Sequence, residues 1–100
     1  MTCLLCNWSV MKKHFDIRIS GTVQGVFFRA STKEKADALN IDGMVRNDPD
    51  GSVYIEAEGD EENLKAFIQW CQQGPRRASV QRFDLREGVV KDFVGFVIER

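Results

Sequence analysis

The sequence predicts an α/β (α+β) sandwich in which two helices cover one face of a mostly antiparallel sheet. Three observations lead to this fold class. Several segments alternate apolar with polar residues, which is the period of a strand covered on one face. Two other segments repeat apolar residues every three or four positions, as amphipathic helices do. Along the chain these segments follow the order β-α-β-β-α-β, with one more short strand at the end.

The first strand and the first helix are joined by a loop that contains glycine. Residues 14–20 predict the strand, because Phe15, Ile17 and Ile19 alternate with polar neighbours. A loop begins at Gly21, and the composition then becomes helical up to residues 42–43. One face of this helix is expected to contact the sheet: Phe28, Thr32, Ala36 and Leu39.

A hairpin and a second helix follow. Residues 43–47, the turn sequence at 48–51 and the alternating residues 53–58 predict the hairpin. Asp60 is expected to cap a helix that ends at Gly74. Its apolar stripe has the spacing i, i+3, i+4 and i+7: Leu64, Phe67, Ile68 and Cys71.

The fourth strand changes the parity of its apolar residues. Ala78 and Val80 share one parity while Phe83 and Leu85 take the other, so we expect the strand to bend or bulge near residues 81 and 82. Residues 93–98 predict a short last strand. Together the elements give a ferredoxin-like βαββαβ sandwich with an extra C-terminal strand. That architecture hosts many functions, so function has to be argued from a site.

The composition is that of one globular domain. The chain has 100 residues, of which 43% are hydrophobic and 29% charged. Lys and Arg number 14 against 15 Asp and Glu, and the net charge of −1 argues against a nucleic-acid partner. No stretch approaches the roughly 18 apolar residues that span a bilayer, so no membrane partner is expected. We interpret residues 1–10 as an N-terminal extension, either disordered or ahead of a true start at Met11, and residues 11–100 as the domain.

Three cysteines and one histidine limit the metal and thiol chemistry. Cys3 and Cys6 have the spacing of half a zinc site without its second half, and Cys71 continues an apolar stripe, so we expect no metal and no cofactor. His14 falls on the side of the first strand that we expect to be exposed. The odd cysteine count without a secretory signal indicates a reducing compartment, and we expect a cytoplasmic protein. An acidic run is interpreted as solvated capping residues and not as calcium ligands: Glu56, Glu58, Asp60, Glu61 and Glu62.

The loop after the first strand is a candidate anion site. A strand that ends in a glycine-containing loop and leads into a helix leaves several backbone N–H groups near one point, with the positive end of the helix dipole behind them. Arg29 lies in the first turn of that helix, where a guanidinium can meet a phosphoryl group through two parallel hydrogen bonds. An ordinary β-to-α connection is the alternative that spacing alone leaves open.

Asn47 is a second candidate. If Val45 points into the core, Asn47 shares its face, whereas Met44 and Arg46 point the other way. An asparagine on the core side of a strand end suggests that its side chain has a functional role. The competing interpretation is turn formation, since asparagine before Asp-Pro-Asp-Gly is common turn chemistry.

Two segments resemble the acylphosphatase family. VQGVFFR at 23–29, preceded by Gly21, resembles its loop signature Gly-x-Val-Gln-Gly-Val-x-Phe-Arg. GMVRNDPDGSV at 43–53 resembles its second signature, Gly-aromatic-Val-Arg/Lys-Asn-x-x-Asp-Gly-x-Val. The resemblance runs from about His14 to the C-terminus. Met44 stands where the family has an aromatic residue, and we expect this difference to alter the lining beside the site.

The resemblance implies a small stand-alone acylphosphatase, which hydrolyses the carboxyl-phosphate bond of acyl phosphates without a metal. By similarity, Arg29 and the backbone N–H groups of residues 24–28 hold the phosphoryl oxygens, and Asn47 orients the attacking water. Arginine and asparagine cannot act as general bases at neutral pH, so such a site requires a substrate with a good leaving group. The expected catalytic residues are therefore Arg29 and Asn47, and the expected phosphate-binding loop comprises Gln24, Gly25, Val26, Phe27, Phe28 and Arg29.

Two other classes of function remain open at the level of sequence. A non-catalytic ferredoxin-like module that binds a phosphorylated small molecule would use the same loop, and an assay of acyl phosphate hydrolysis separates it from an enzyme. An RNA-binding sheet is disfavoured, because it needs paired aromatic residues on exposed strands and Tyr54 is the one candidate. We expect a small acyl phosphate as the substrate and a monomeric protein.

Overall fold

The computed structural model describes residues 12–99. The predicted extension at 1–10, with Cys3 and Cys6, lies outside the described residues. The predicted order of elements is confirmed, and the elements have these bounds: β1 Lys12–Thr22, α1 Phe28–Ala38, β2 Asp42–Asn47, β3 Val53–Asp60, α2 Glu61–Gln73, β4 Ser79–Gly88 and β5 Phe96–Ile98.

The strands form one five-stranded sheet of order β4-β1-β3-β2-β5. All neighbours are antiparallel except β2 and β5, which run parallel. Helix α1 packs against β2 and β5, and α2 packs against β3, β1 and β4. The fold class is confirmed, with two helices on a mostly antiparallel sheet. Neither of these helices, of 11 and 13 residues, is long and apolar enough to cross a membrane.

The core lies between the sheet and the helices. Alternation along the strands sends every second side chain to that side, and the strand residues there are fully buried: Ile17, Ile19, Val45, Val53, Ile55 and Ala57. Phe28 of α1 and Phe67 of α2 are buried against them. Cys71 is also fully buried, and burial raises the pKa of its thiol, as expected for a core cysteine.

Local signals set the element ends as the sequence indicated. The Asp60 carboxylate accepts hydrogen bonds from the backbone N–H groups of Glu62 and Asn63, which caps α2. In β4, Arg82 pairs with Ser20 and Val80 pairs with Gly21, so the residue between them, Gln81, has no register partner. The predicted bulge is therefore confirmed.

The segment between β4 and β5 differs from the prediction. Residues 93–95 are not part of the last strand, which begins at Phe96. Residues 89–95, which we name the outer strap, pass over the side of the sheet opposite the helices, the outer face. The backbone N–H groups of Lys91 and Phe93 donate to the Glu58 carboxylate, and the Phe93 ring stacks over the His14 ring at 6.3 Å.

The outer strap corrects two expectations about exposure. His14 is 1% exposed and not on a solvated face. Glu58 is fully buried and Glu56 is 9% exposed, so these two acidic residues are not solvated capping groups. Burial alone would raise the pKa of Glu58, but the N–H groups of Lys91 and Phe93 and the His14 ring outweigh it and hold that pKa below its ordinary value. Buried carboxylates persist where donors satisfy them, as here.

Candidate active site

The connection from β1 to α1 has an unusual backbone. Gly25 has a φ of 75° and Phe27 a φ of 61°, both in the left-handed region. Phe27 is also the N-cap of α1, and no side chain caps the helix. The first N–H groups of α1 are therefore left without a side-chain acceptor, and such groups bind anions.

Arg29 and Asn47 lie on the same cavity, although 17 residues separate them in the chain. The cavity has a volume of about 300 Å³. Arg29 is half-buried, and it forms no ion pair with a carboxylate of residues 12–99. The structure thus leaves a cationic group free to meet an anion. The lining residues are Val23, Gly25, Phe27, Phe28, Arg29, Ala30, Asn47 and Ile98.

Asn47 lies at the end of β2 on the same face as Val45, which is fully buried. Its side-chain oxygen Oδ1 is buried and accepts no hydrogen bond within the described part of the chain. Leaving a buried acceptor unpaired costs about 1–3 kcal/mol, so a native structure keeps one only for a reason. A donor bound in the cavity, such as a water O–H, would satisfy it.

Gln24 has a role that the sequence did not reveal. Its side-chain amide donates to the backbone carbonyls of Asp48 and Ser52, at 2.8 and 2.9 Å. These two bonds tie the loop after β1 to the turn between β2 and β3. Because Asn47 immediately precedes that turn, the Gln24 side chain fixes the loop relative to Asn47. The sequence expectation concerned only the backbone N–H of Gln24.

The same turn is fixed from its outer side by Asp48. One carboxylate oxygen accepts from Arg46 Nε at 2.8 Å and the other from Arg18 at 2.6 Å. The bond from Arg46 is the main reason that the pKa of Asp48 lies below its ordinary value of 3.8. In the sequence, Asp48 was recognisable only as a turn former, since its partner Arg18 is 30 residues away.

We expect Asp48→Asn to lower the free energy of unfolding by about 1 kcal/mol near neutral pH, because the arginines are partly exposed and water screens the pairs. The folded-state pKa of Asp48 is depressed, so its contribution is present above pH 3.8 and is lost as the pH falls through the lower folded-state pKa. Urea unfolding of both proteins at pH 7 and near pH 2.5 measures this. An equal difference at both pH values would contradict the ionic role of Asp48.

Gly25→Val is expected to lower both stability and phosphate affinity. A Cβ at Gly25 meets no atom within 4 Å, so the cost is backbone strain of about 1 kcal/mol or more. Relief of that strain turns the loop N–H groups away from the cavity. Gly95→Val is a matched control, because Gly95 has a φ of 76°, has equally open space and lies in the outer strap. Equal phosphate affinities of the two variants would show that the loop does not bind phosphate.

Two other residues singled out in the sequence lie away from the cavity. Val26 is half-buried and packs against the core. Met44 is 3% exposed on the outer face of β2, since it alternates with Val45, and it does not line the cavity. The expected change in the lining beside the site is therefore wrong, because the aromatic position of the signature faces away from Asn47.

The cavity thus combines the uncapped start of a helix, an arginine and an unpaired amide oxygen, an arrangement that can receive an anion. The comparisons with known proteins are more specific. The acylphosphatase family model matches residues 15–98. The chain belongs to the acylphosphatase family.

The relatives and solved structures agree with one another. The acylphosphatase of Methylococcus capsulatus is 44% identical over 88% of this chain and 97% of its own length, and that of Marinobacter nauticus is 52% identical over 73% and 79%. The acylphosphatase structure from Coxiella burnetii has a TM-score of 0.85 and 34% identity, covering 88% of this chain and 93% of that one. Full-length HypF in its phosphate- and nucleotide-bound form matches with a TM-score of 0.82 and 31% identity, over 91% of this chain and 12% of that chain.

Proposed function

We propose that the protein hydrolyses the carboxyl-phosphate bond of acyl phosphates to a carboxylate and inorganic phosphate, in the cavity between the β1–α1 loop and the end of β2. One observation carries the proposal. Arg29, which has no carboxylate partner within residues 12–99, and the unpaired Oδ1 of Asn47 line the same cavity. Family membership supports the same reaction.

The phosphoryl group is held by charge and by backbone donors. In the family's pattern the N–H groups of residues 24–28 hold its oxygens, and of these residues Gly25, Phe27 and Phe28 line the cavity. The Arg29 guanidinium at the start of α1 adds two parallel charge-assisted bonds. Phosphoryl transfer passes through a loose transition state, so positioning and charge stabilisation supply most of the catalysis. The two hydrogen bonds from the Gln24 side chain to the hairpin turn keep these donors at a fixed distance from Asn47.

The attacking water is oriented by Asn47. A water that donates one hydrogen to Oδ1 turns its lone pair toward the phosphorus, and satisfies the buried oxygen at the same time. The P–O bond to the acyl group breaks, and the carboxylate leaves without a proton because it is weakly basic. The proton of the water goes to a phosphate oxygen, so the site needs no general base.

The proposal includes a small soluble substrate, a monomeric protein and a cytoplasmic location. A net charge of −1 disfavours a polyanionic partner. The buried free thiol of Cys71 fits a reducing compartment.

Acyl phosphate hydrolysis is expected to continue in excess chelator and to be inhibited competitively by inorganic phosphate, because protein donors alone hold the phosphoryl group. The test follows the disappearance of an aromatic and a short aliphatic acyl phosphate, with and without the protein. Loss of activity in chelator with recovery on adding magnesium would overturn the mechanism. Phosphate binding without any hydrolysis would make the chain a non-catalytic binding module.

A further inference from the structure

A cluster of ionisable side chains lies on the outer face, on the opposite side of the sheet from the cavity. His14 and Asp16 of β1 stand across from Glu58 and Glu56 of β3, so the four side chains are neighbours on one face. Lys91 of the outer strap joins them through its ammonium group, which lies 2.7 Å from Glu56 Oε1. The proposed hydrolysis uses none of these residues.

Glu58 sets the tautomer of His14. The buried Glu58 carboxylate receives the backbone N–H groups of Lys91 and Phe93, and its Oε2 lies 2.7 Å from His14 Nδ1. Two backbone N–H donors hold Glu58 as a carboxylate, which can only accept hydrogen bonds. The hydrogen between Glu58 and His14 is therefore carried by Nδ1. The other ring nitrogen, Nε2, therefore has a lone pair in the neutral ring.

Two more acceptors lie near that lone pair. Nε2 lies 2.7 Å from Asp16 Oδ1 and 3.5 Å from Glu56 Oε1. Three electron-rich atoms at these distances repel one another unless a cation lies between them, and the Lys91 ammonium pairs with Glu56 alone. A proton on Nε2 satisfies this requirement, and so does a metal ion, because the three ligand atoms all lie within 4.8 Å of one another.

We propose that His14 Nε2, Asp16 and Glu56 form a binding site for a divalent transition metal of the zinc type. Imidazole nitrogen and carboxylate oxygen are zinc ligands, and three of them leave a fourth position for water. Tetrahedral zinc places its ligand atoms about 3.4 Å apart. The 3.5 Å from Nε2 to Glu56 Oε1 matches this distance, whereas Asp16 Oδ1, at 2.7 Å from Nε2, has to move outward. Asp16 is 30% exposed at its side chain and can make that movement.

Glu58 does not bind the metal itself but holds the histidine ligand by accepting the hydrogen bond from its Nδ1–H. Histidine ligands of metals usually donate their second ring N–H to a carboxylate, which fixes the ring and raises its basicity. Here that carboxylate is itself held by the outer strap. The proposal is independent of the hydrolytic function, since it concerns only the outer face.

Lys91 acts as a built-in competitor for the metal. Its ammonium occupies Glu56 Oε1, and its side chain is 56% exposed, so a metal ion can displace it into solvent. Lys91→Met removes the ammonium and keeps the backbone N–H that donates to Glu58. We therefore expect this variant to bind zinc about tenfold more tightly than the unmodified protein, in contrast to the matched charge control Lys65→Met on the exposed side of α2.

The test uses the single histidine of the chain as a reporter. Zinc chloride is titrated into the ¹⁵N-labelled full-length protein near pH 7.5, and the ring nitrogens of His14 are followed by NMR. One equivalent of bound zinc is expected to shift the Nε2 resonance while Nδ1 keeps its hydrogen. Zinc bound at Cys3 and Cys6 would leave this resonance unchanged.

Asp16→Asn removes one ligand and leaves the bond from His14 to Glu58 intact. Loss of a residue that only hydrogen-bonds to a metal ligand weakens metal binding by roughly tenfold or more, so we expect loss of the Asp16 ligand to weaken zinc binding at least as much. Two results would overturn the proposal. One is an unchanged Nε2 resonance at millimolar zinc in both the unmodified protein and Lys91→Met, which would show that the cluster binds no zinc. The other is equal zinc affinity with and without the Asp16 carboxylate.

Discussion

Arg29→Ala is expected to abolish phosphate binding and acyl phosphate hydrolysis together. Arg29 lines the cavity, and in the proposed mechanism its guanidinium binds the phosphoryl group in both the ground state and the transition state. We expect kcat/KM to fall by at least about 10³-fold, the scale on which phosphoryl-binding arginines act. Phosphate binding by calorimetry and steady-state hydrolysis measure the two effects. Arg76→Ala, at an exposed position after α2, removes the same charge and should change neither.

Arg29→Lys separates the shape of the group from its charge. A lysine ammonium is a point charge and cannot reproduce two parallel bonds, so only part of the activity should return. Full activity in Arg29→Lys would mean that Arg29 provides only a general positive potential. Full activity in Arg29→Ala would remove Arg29 from the site altogether.

Asn47→Ala is expected to lower kcat by roughly a hundredfold or more while phosphate affinity stays near that of the unmodified protein, since Asn47 acts on the water. Stability gives an independent readout. Because Oδ1 has no partner within the described residues, removing it should leave the free energy of unfolding unchanged or higher. Hydrolysis rates, phosphate binding and urea unfolding on the same variant test all three statements.

Asn47→Asp should also lose acyl phosphate hydrolysis. A carboxylate at residue 47 would face the phosphoryl dianion in the same cavity, and like charges repel. An Asn47→Ala protein with unchanged turnover and reduced stability would restore the interpretation of Asn47 as a turn former.

The elements that the sequence predicted are those set by local chemistry. The alternation of Ile17 and Ile19, the cap at Asp60 and the change of parity around residue 81 each depend on neighbours a few positions away. The same parity argument placed Asn47 on the face of Val45. That Asn47 and Arg29 act at one site was implied only by the family resemblance, and the structure places both on one cavity.

The features that the sequence missed depend on partners far along the chain. His14 meets Glu58 across 44 positions, and Glu58 meets the strap 33 and 35 positions later. The strap itself has no periodic pattern, so nothing in residues 89–95 indicated that it covers the sheet. Gln24 was recognised as part of a signature, but its bonds are to backbone carbonyls, which carry no sequence signal.

In the proposed reaction, water attacks the phosphorus atom of the substrate and not its acyl carbon. In the proposed mechanism, Arg29 and the loop N–H groups bind the phosphoryl end of the substrate and Asn47 holds the water; the structure shows that both side chains line one cavity and that Asn47 Oδ1 is unpaired among the described residues. Hydrolysis of an acyl phosphate by this protein in water enriched in ¹⁸O tests the claim directly, because mass spectrometry of the products shows which bond was broken. We predict the label in inorganic phosphate and none in the carboxylate. Label in the carboxylate would mean that the acyl carbon is attacked, and would contradict the roles given to Arg29 and Asn47.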